Sequence, residues 1–145
     1  VFLIRHAEKA AEPATDPMLS DAGTARAARL PELFAYAMPS VVFSTQYQRT
    51  RLTAQPVADA AGIPVTVIAI SKDTADSYPQ QMLEAICGLP DGAKVLVVGH
   101  SNTVPAMVTA WTGEPVPEIA EDEFDRLFMV RLRDCASEGW SDLRY

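Results

Sequence analysis

The chain has two histidines, and each directly follows an apolar run: Val1-Phe2-Leu3-Ile4-Arg5-His6 and Val95-Leu96-Val97-Val98-Gly99-His100. Such runs read as strands buried on both faces, and ligands of open α/β sheets bind at the carboxyl ends of the strands. Two imidazoles at matching strand ends point to one shared site. Two unrelated loop histidines are the alternative, and Arg5 beside His6 weighs against it. A neutral imidazole is a good nucleophile toward phosphorus, and a neighbouring cation disfavours its protonation. A guanidinium grips two phosphate oxygens in a fork. The chemistry these residues suit is phosphoryl transfer through His6.

A second arginine is placed to join them. Ser44-Thr45-Gln46-Tyr47-Gln48-Arg49-Thr50-Arg51-Leu52-Thr53-Ala54 follows another short apolar run. Arg49 falls in the first turn of the helix expected there, with Thr53 one turn on along the same face. Arg51, two positions from Arg49, is expected to face solvent. After the run that ends at Gly99, His100-Ser101-Asn102-Thr103-Val104-Pro105 reads as a helix start, because proline suits the first turn. Free backbone N–H groups there make a natural anion site beside His100. Simple capping accounts for at least one of Ser101 and Asn102; Asn102 is the better candidate for a substrate contact.

The elements that must position these residues alternate. Strands are expected at Val1–Ile4, Val41–Ser44, Pro64–Ile70 and Lys94–Val98, and helices at Asp21 to about Ala37, Gln46–Ala61, Ser77–Cys87 and Asn102–Trp111. Ser20 or Asp21 caps the first helix, and Gly62 and Gly113 stop the second and fourth. Pro56 should kink or split the second. The tail differs: Arg126–Arg133 alternates, no helix follows it, and Leu143–Tyr145 closes the chain, so one or two antiparallel edge strands are expected. The fold class is α/β: a three-layer α/β/α sandwich on a mainly parallel central sheet with one or two antiparallel edge strands.

The totals are compatible with one domain over residues 1–145. Apolar residues make up 48% and charged residues 21% of the chain, ordinary values for a soluble globular protein. The net charge of -7, from 12 basic and 19 acidic residues, makes a poor general binder of nucleic acid or anionic membrane. A phosphate must therefore find a local basic pocket. Cys87 and Cys135 show no metal-binding spacing and no obvious disulfide framework. No apolar run reaches the roughly 18 residues that span a bilayer. The chain opens inside an apolar run, so residues are expected to precede it in the natural protein. Composition decides neither compartment, cytoplasmic or exported, nor oligomeric state.

In order, these motifs resemble those of the histidine phosphatase superfamily, the phosphoglycerate-mutase-like proteins. The family's Arg-His-Gly at the end of the first strand is similar to Arg5-His6-Ala7. Its later leucine, Ser/Thr and glycine pattern is similar to Leu19-Ser20-Asp21-Ala22-Gly23. Its second-arginine motif resembles Ser44 or Thr45, Arg49 and Thr53-Ala54. Its Gly-His after an apolar strand resembles Gly99-His100. The resemblance implies that His6 is the nucleophile and that Arg5, Arg49 and His100 bind the phosphate. It also implies catalysis by positioning and electrostatics, with no metal and no cofactor. Water would then attack the phosphohistidine.

Two departures stand out. Ala7 replaces the usual glycine, which is harmless unless that position needs a positive φ. The general acid has no obvious place: Glu8, two residues past the nucleophile, is the first candidate and Asp73, after the third strand, the second. Either is equally readable as a surface charge.

The function these features imply is a phosphatase acting on a phosphomonoester or phosphohistidine, with a small phosphorylated substrate or a phosphoprotein as partner. A phosphoglycerate-type mutase is the alternative. It must shield its phosphohistidine from water, and this chain has few insertions and few spare cations for that. A non-enzymatic module that binds a phosphorylated ligand is the other alternative, but it has no use for a nucleophile. The acidic segment from Glu114 to Asp125, with Glu118, Glu121, Asp122 and Glu123, reads as a solvated loop; it could also border the pocket and discourage highly anionic substrates.

Overall fold

Side chains alternate across a strand, and the central strands are apolar on both sides, so the sheet has to be covered twice. The computed structural model describes residues 1–145. Strands β1 (Phe2–Arg5), β2 (Val41–Ser44), β3 (Val65–Val67) and β4 (Val95–Gly99) run parallel to one another, and β5 (Arg126–Arg133) and β6 (Ala136–Arg144) form an antiparallel hairpin beside β1. The sheet order is β3-β2-β4-β1-β5-β6.

Helices α1 (Asp21–Leu33) and α2 (Gln48–Ala61) cover one face. There Leu30, Phe34, Ala54, Val57 and Ala58 pack on Ile4, Val42, Leu96, Val98 and Leu127. Helices α3 (Tyr78–Cys87) and α4 (Thr103–Thr112) cover the other. Tyr78, Met82, Ile86, Val104, Met107 and Trp111 pack on Leu3, Phe43, Val95, Val97 and Phe128. Neighbouring strand residues thus serve opposite cores, giving the three-layer sandwich expected from the sequence.

Several boundaries differ from expectation. Helix α1 stops at Leu33, and α2 continues through Pro56, with Ala54, Val57 and Ala58 buried against the sheet on either side of it. β3 is only three residues long, because it is an edge strand whose Thr66 and Val67 are exposed. The tail is a complete hairpin, turned at Asp134 and Cys135, both at positive φ. Cys87 and Cys135 are bridged, with Cα atoms 5.6 Å apart. That pairing was invisible in the sequence, since it depends on β5 carrying its far end back to the end of α3.

Candidate active site

β1 and β4 are adjacent and pair in register, Arg5 with Gly99, and the ladder continues as the His6 N–H donates to the Gly99 carbonyl at 2.9 Å. The two histidines therefore leave the sheet at the same level, with ring centroids 5.4 Å apart. β2 lies on the other side of β4 and delivers Arg49 in the first turn of α2. Arg5, His6, Arg49 and His100 line one cleft of about 680 Å³, joined by Glu8, Lys9, Ser101, Asn102, Glu118, Glu121 and Phe124.

His6 is buried. Its Nδ1 lies 2.8 Å from the Ala7 carbonyl oxygen. A carbonyl only accepts, so Nδ1 carries the hydrogen and Nε2 keeps its lone pair. The pKa of His6 is pushed down to about 4, first by burial, then by Arg49, Arg5 and Lys9, against the opposing Ala7 bond. His100 is held down at about 3, by burial first and then by His6, Arg49 and Arg5. Both rings are neutral at physiological pH, the state a nucleophilic imidazole requires.

Both arginines are held by neighbouring groups. Arg5 Nη1 donates to the carbonyls of Ala120, Glu121 and Glu123 at 2.7, 3.0 and 2.9 Å, and its guanidinium lies 4.2 Å from the Phe124 ring centroid. Its Nε is buried without a partner, a donor that an anion in the cleft is suited to satisfy. Arg49 lies 4.5 Å from the Tyr47 ring centroid and 3.8 Å from Asp16. Asp16 also accepts from the Gln48 N–H at 2.9 Å, capping α2 from a distant loop where Tyr47 offers no side-chain cap.

Residues 1–70 match the family model of the histidine phosphatase superfamily, branch 1. That segment, which carries Arg5, His6 and Arg49, is similar to the histidine phosphatase superfamily. A putative phosphohistidine phosphatase SixA from Agrobacterium tumefaciens is similar at 28% identity and a TM-score of 0.60, over 78% of this chain and 76% of that one. The protein histidine phosphatase SixA, solved with tungstate, shares 18% identity at a TM-score of 0.73, covering 99% and 95%. A mycobacterial glucosyl-3-phosphoglycerate phosphatase shares 14% identity at 0.73, covering 100% and 97%. No curated protein sequence matches the chain.

Against the Arg-His-Gly pattern of those proteins, the departure at Ala7 is mild. Among non-glycine residues only Asp134 and Cys135 have positive φ, so Ala7 is unstrained, and its methyl group is fully buried. Its N–H donates to Thr53 Oγ1 at 3.0 Å, while that hydroxyl donates to the Arg49 carbonyl at 2.7 Å. Thr53 thus ties the loop after His6 to the turn that carries Arg49.

The two carboxylates considered as proton donors fare differently from expectation. Asp73 is exposed and does not line the cleft. Glu8 does line it, but both its oxygens are bonded to Arg26, with contacts of 2.8, 3.0 and 3.1 Å. The Arg26 hydrogen bonds hold the Glu8 carboxyl below its ordinary range, which favours its ionised form. Asn102 is exposed at the cleft wall and makes no side-chain cap on α4.

Lys9, Phe124, Glu118 and Glu121 are cleft residues that the motifs do not mark. The acidic segment reaches the site because Ile119 is buried, its N–H bonded to the Ser101 carbonyl at 2.9 Å, before β5 returns beside β1. No cluster of three or more His, Cys, Asp or Glu side chains is arranged to hold a metal ion.

Proposed function

We propose that the protein is a metal-independent phosphatase that hydrolyses a phosphomonoester or phosphohistidine through a phosphohistidine intermediate on His6. The observation that carries this reading is the His6 tautomer. Its Nδ1–H is bonded to Ala7, so the free lone pair sits on Nε2, in a cleft shared with Arg5, Arg49 and His100. Nε2 attacks phosphorus as the bond to the leaving group breaks with its electron pair. Arg5 and Arg49 hold the equatorial oxygens, where the transferring group carries its charge. Water then attacks the phosphohistidine, the P–N bond breaks, and inorganic phosphate leaves.

Hydrolysis suits this cleft better than mutase chemistry. Arg5, Lys9 and Arg49 are its cations, and the two arginines are committed to the transferring phosphoryl group. Glu118 and Glu121 also line the cleft, an unfavourable setting for a substrate with a second anionic group. Asn102, exposed at the cleft wall, is the proposed contact to the remainder of the substrate.

The test is a phosphosubstrate panel, including p-nitrophenyl phosphate and a phosphohistidine peptide, run on wild type and on His6→Ala. Steady phosphate release by wild type, lost in a folded His6→Ala protein, is the expected result. An active His6→Ala protein overturns the mechanism. Phosphoryl exchange on phosphoglycerate in place of release would make the protein a mutase, and binding without turnover would make it a phospho-ligand module.

A further inference from the structure

His100 is held by a chain of buried hydroxyls that the phosphatase reading does not use. Its Nε2 lies 3.0 Å from Thr45 Oγ1, and Thr45 Oγ1 lies 2.8 Å from Thr50 Oγ1. Both threonines are fully buried. The direction of the chain is fixed at its far end. Thr50 Oγ1 reaches the carbonyls of Tyr47 at 2.8 Å and Thr45 at 3.2 Å. Carbonyl oxygens only accept, so every contact of the chain is kept when the single Thr50 hydrogen goes to a carbonyl and Thr50 accepts from Thr45. Thr45 then has no hydrogen left for His100 and must accept from it. The reverse polarity, with Thr50 donating to Thr45 and Thr45 to His100, gives up the hydrogen bond from Thr50 to the Tyr47 carbonyl, a loss in a dry interior.

We infer that Thr45 and Thr50 fix His100 as its Nε2–H tautomer, so that the cleft holds two imidazoles of opposite tautomer and His100 meets the phosphoryl group through an unprotonated Nδ1. His6, bonded through Nδ1–H to Ala7, is the mirror case. The consequence rests on the phosphatase reading above. An unprotonated Nδ1 repels a bare phosphate oxygen but accepts a hydrogen from a P–OH group. Anion binding is therefore accompanied by a proton at His100 Nδ1, brought by the substrate monoanion or taken from solvent. The charged and titratable groups lining the cleft around the ring are Arg5, His6, Glu8, Lys9, Arg49, Glu118 and Glu121. Thr45 is a positioning residue in this scheme: it sets which nitrogen is free, and it touches no substrate.

The test is nitrogen-15 NMR of histidine-labelled protein at neutral pH, where two imidazoles give an unambiguous spectrum. The expected wild-type result is His6 as Nδ1–H and His100 as Nε2–H. Thr50→Val removes the acceptor, frees the Thr45 hydroxyl to donate, and shifts His100 toward Nδ1–H. Thr45→Ser preserves the wild-type tautomer and Thr45→Val abolishes its fixation, with kcat/KM down roughly tenfold for the loss of one buried hydrogen bond and restored by serine. Adding inorganic phosphate to wild type should move His100 Nδ1 to the protonated state. A wild-type His100 found as Nδ1–H, or a tautomer unmoved in both valine variants, overturns the inference. Failure of phosphate to bind would instead defeat the phosphatase reading and leave the tautomer result standing.

Discussion

Gly23 packs directly on the backbone of Glu8: a Cβ built at position 23 would lie 2.9 Å from both the Glu8 nitrogen and its carbonyl carbon, and would overlap the carbonyl oxygen. That oxygen also accepts from the Ser20 N–H at 2.9 Å and the Ser20 hydroxyl at 3.3 Å, while Ser20 caps α1 through the Gly23 N–H at 3.1 Å. The start of α1 is therefore a clamp on the loop two residues after His6. Gly23→Ala is expected to displace that loop, costing about 1–3 kcal/mol as an overpacked contact that only backbone movement relieves. Thermal unfolding should show the loss, and kcat/KM with p-nitrophenyl phosphate should fall by more than stability explains, because His6 moves with the loop.

Thr53 carries a comparable load by hydrogen bonding. Thr53→Val keeps the shape but leaves the buried Ala7 N–H without an acceptor, an omission that costs about 1–3 kcal/mol. Thr53→Ser keeps the hydroxyl and should retain most of the stability. Denaturant midpoints for both variants check the difference. Equal midpoints would show that the Ala7 N–H finds another partner.

The four groups of the cleft were legible because three apolar runs announce buried parallel strands and the functional residues sit at or just past their ends. Arg5, His6 and His100 need only strand register to meet, and Arg49 needs only one helical turn. What supports them was not legible. The three carbonyls that hold Arg5 and the ring of Phe124 come from a loop more than a hundred residues away, set by β5 returning beside β1. Of the β6 residues Ala136–Ser141 only Trp140 is a large apolar side chain, so no alternation marks the strand and most of it was missed. The partner of Glu8 was not legible either: Arg26 is on α1, and only the tertiary clamp at Gly23 brings the two together.

That pairing makes a specific prediction about the leaving group. If Glu8 is ionised because Arg26 holds it, Glu8→Gln removes an ion pair and no proton source. Turnover of p-nitrophenyl phosphate should then fall by less than about tenfold, whereas removal of a true general acid typically costs 10²–10⁴-fold. Arg26→Met should cause a loss of similar size, since each variant breaks the same half-buried pair. A loss of a hundredfold or more in Glu8→Gln, with Arg26→Met nearly unaffected, would return Glu8 to the role of acid.

Acid should destabilise the protein through its two histidines. Each titrates near 6.5 in an unfolded chain, but His6 is held at about 4 and His100 at about 3 in the folded one. Between pH 6.5 and these values the unfolded state binds more protons than the native state, so stability falls as pH is lowered through that window. Above pH 6.5 both states are neutral at these sites and the effect vanishes. Urea midpoints measured from pH 7 down to pH 4 should therefore decline, and His6→Asn and His100→Asn should each flatten the slope. The same depression places the His6 limb of the kcat/KM profile near pH 4, below the substrate ionisation near pH 6 that must be divided out first. An enzymatic limb remaining at 6.5 after that correction would mean that the cleft does not hold His6 neutral.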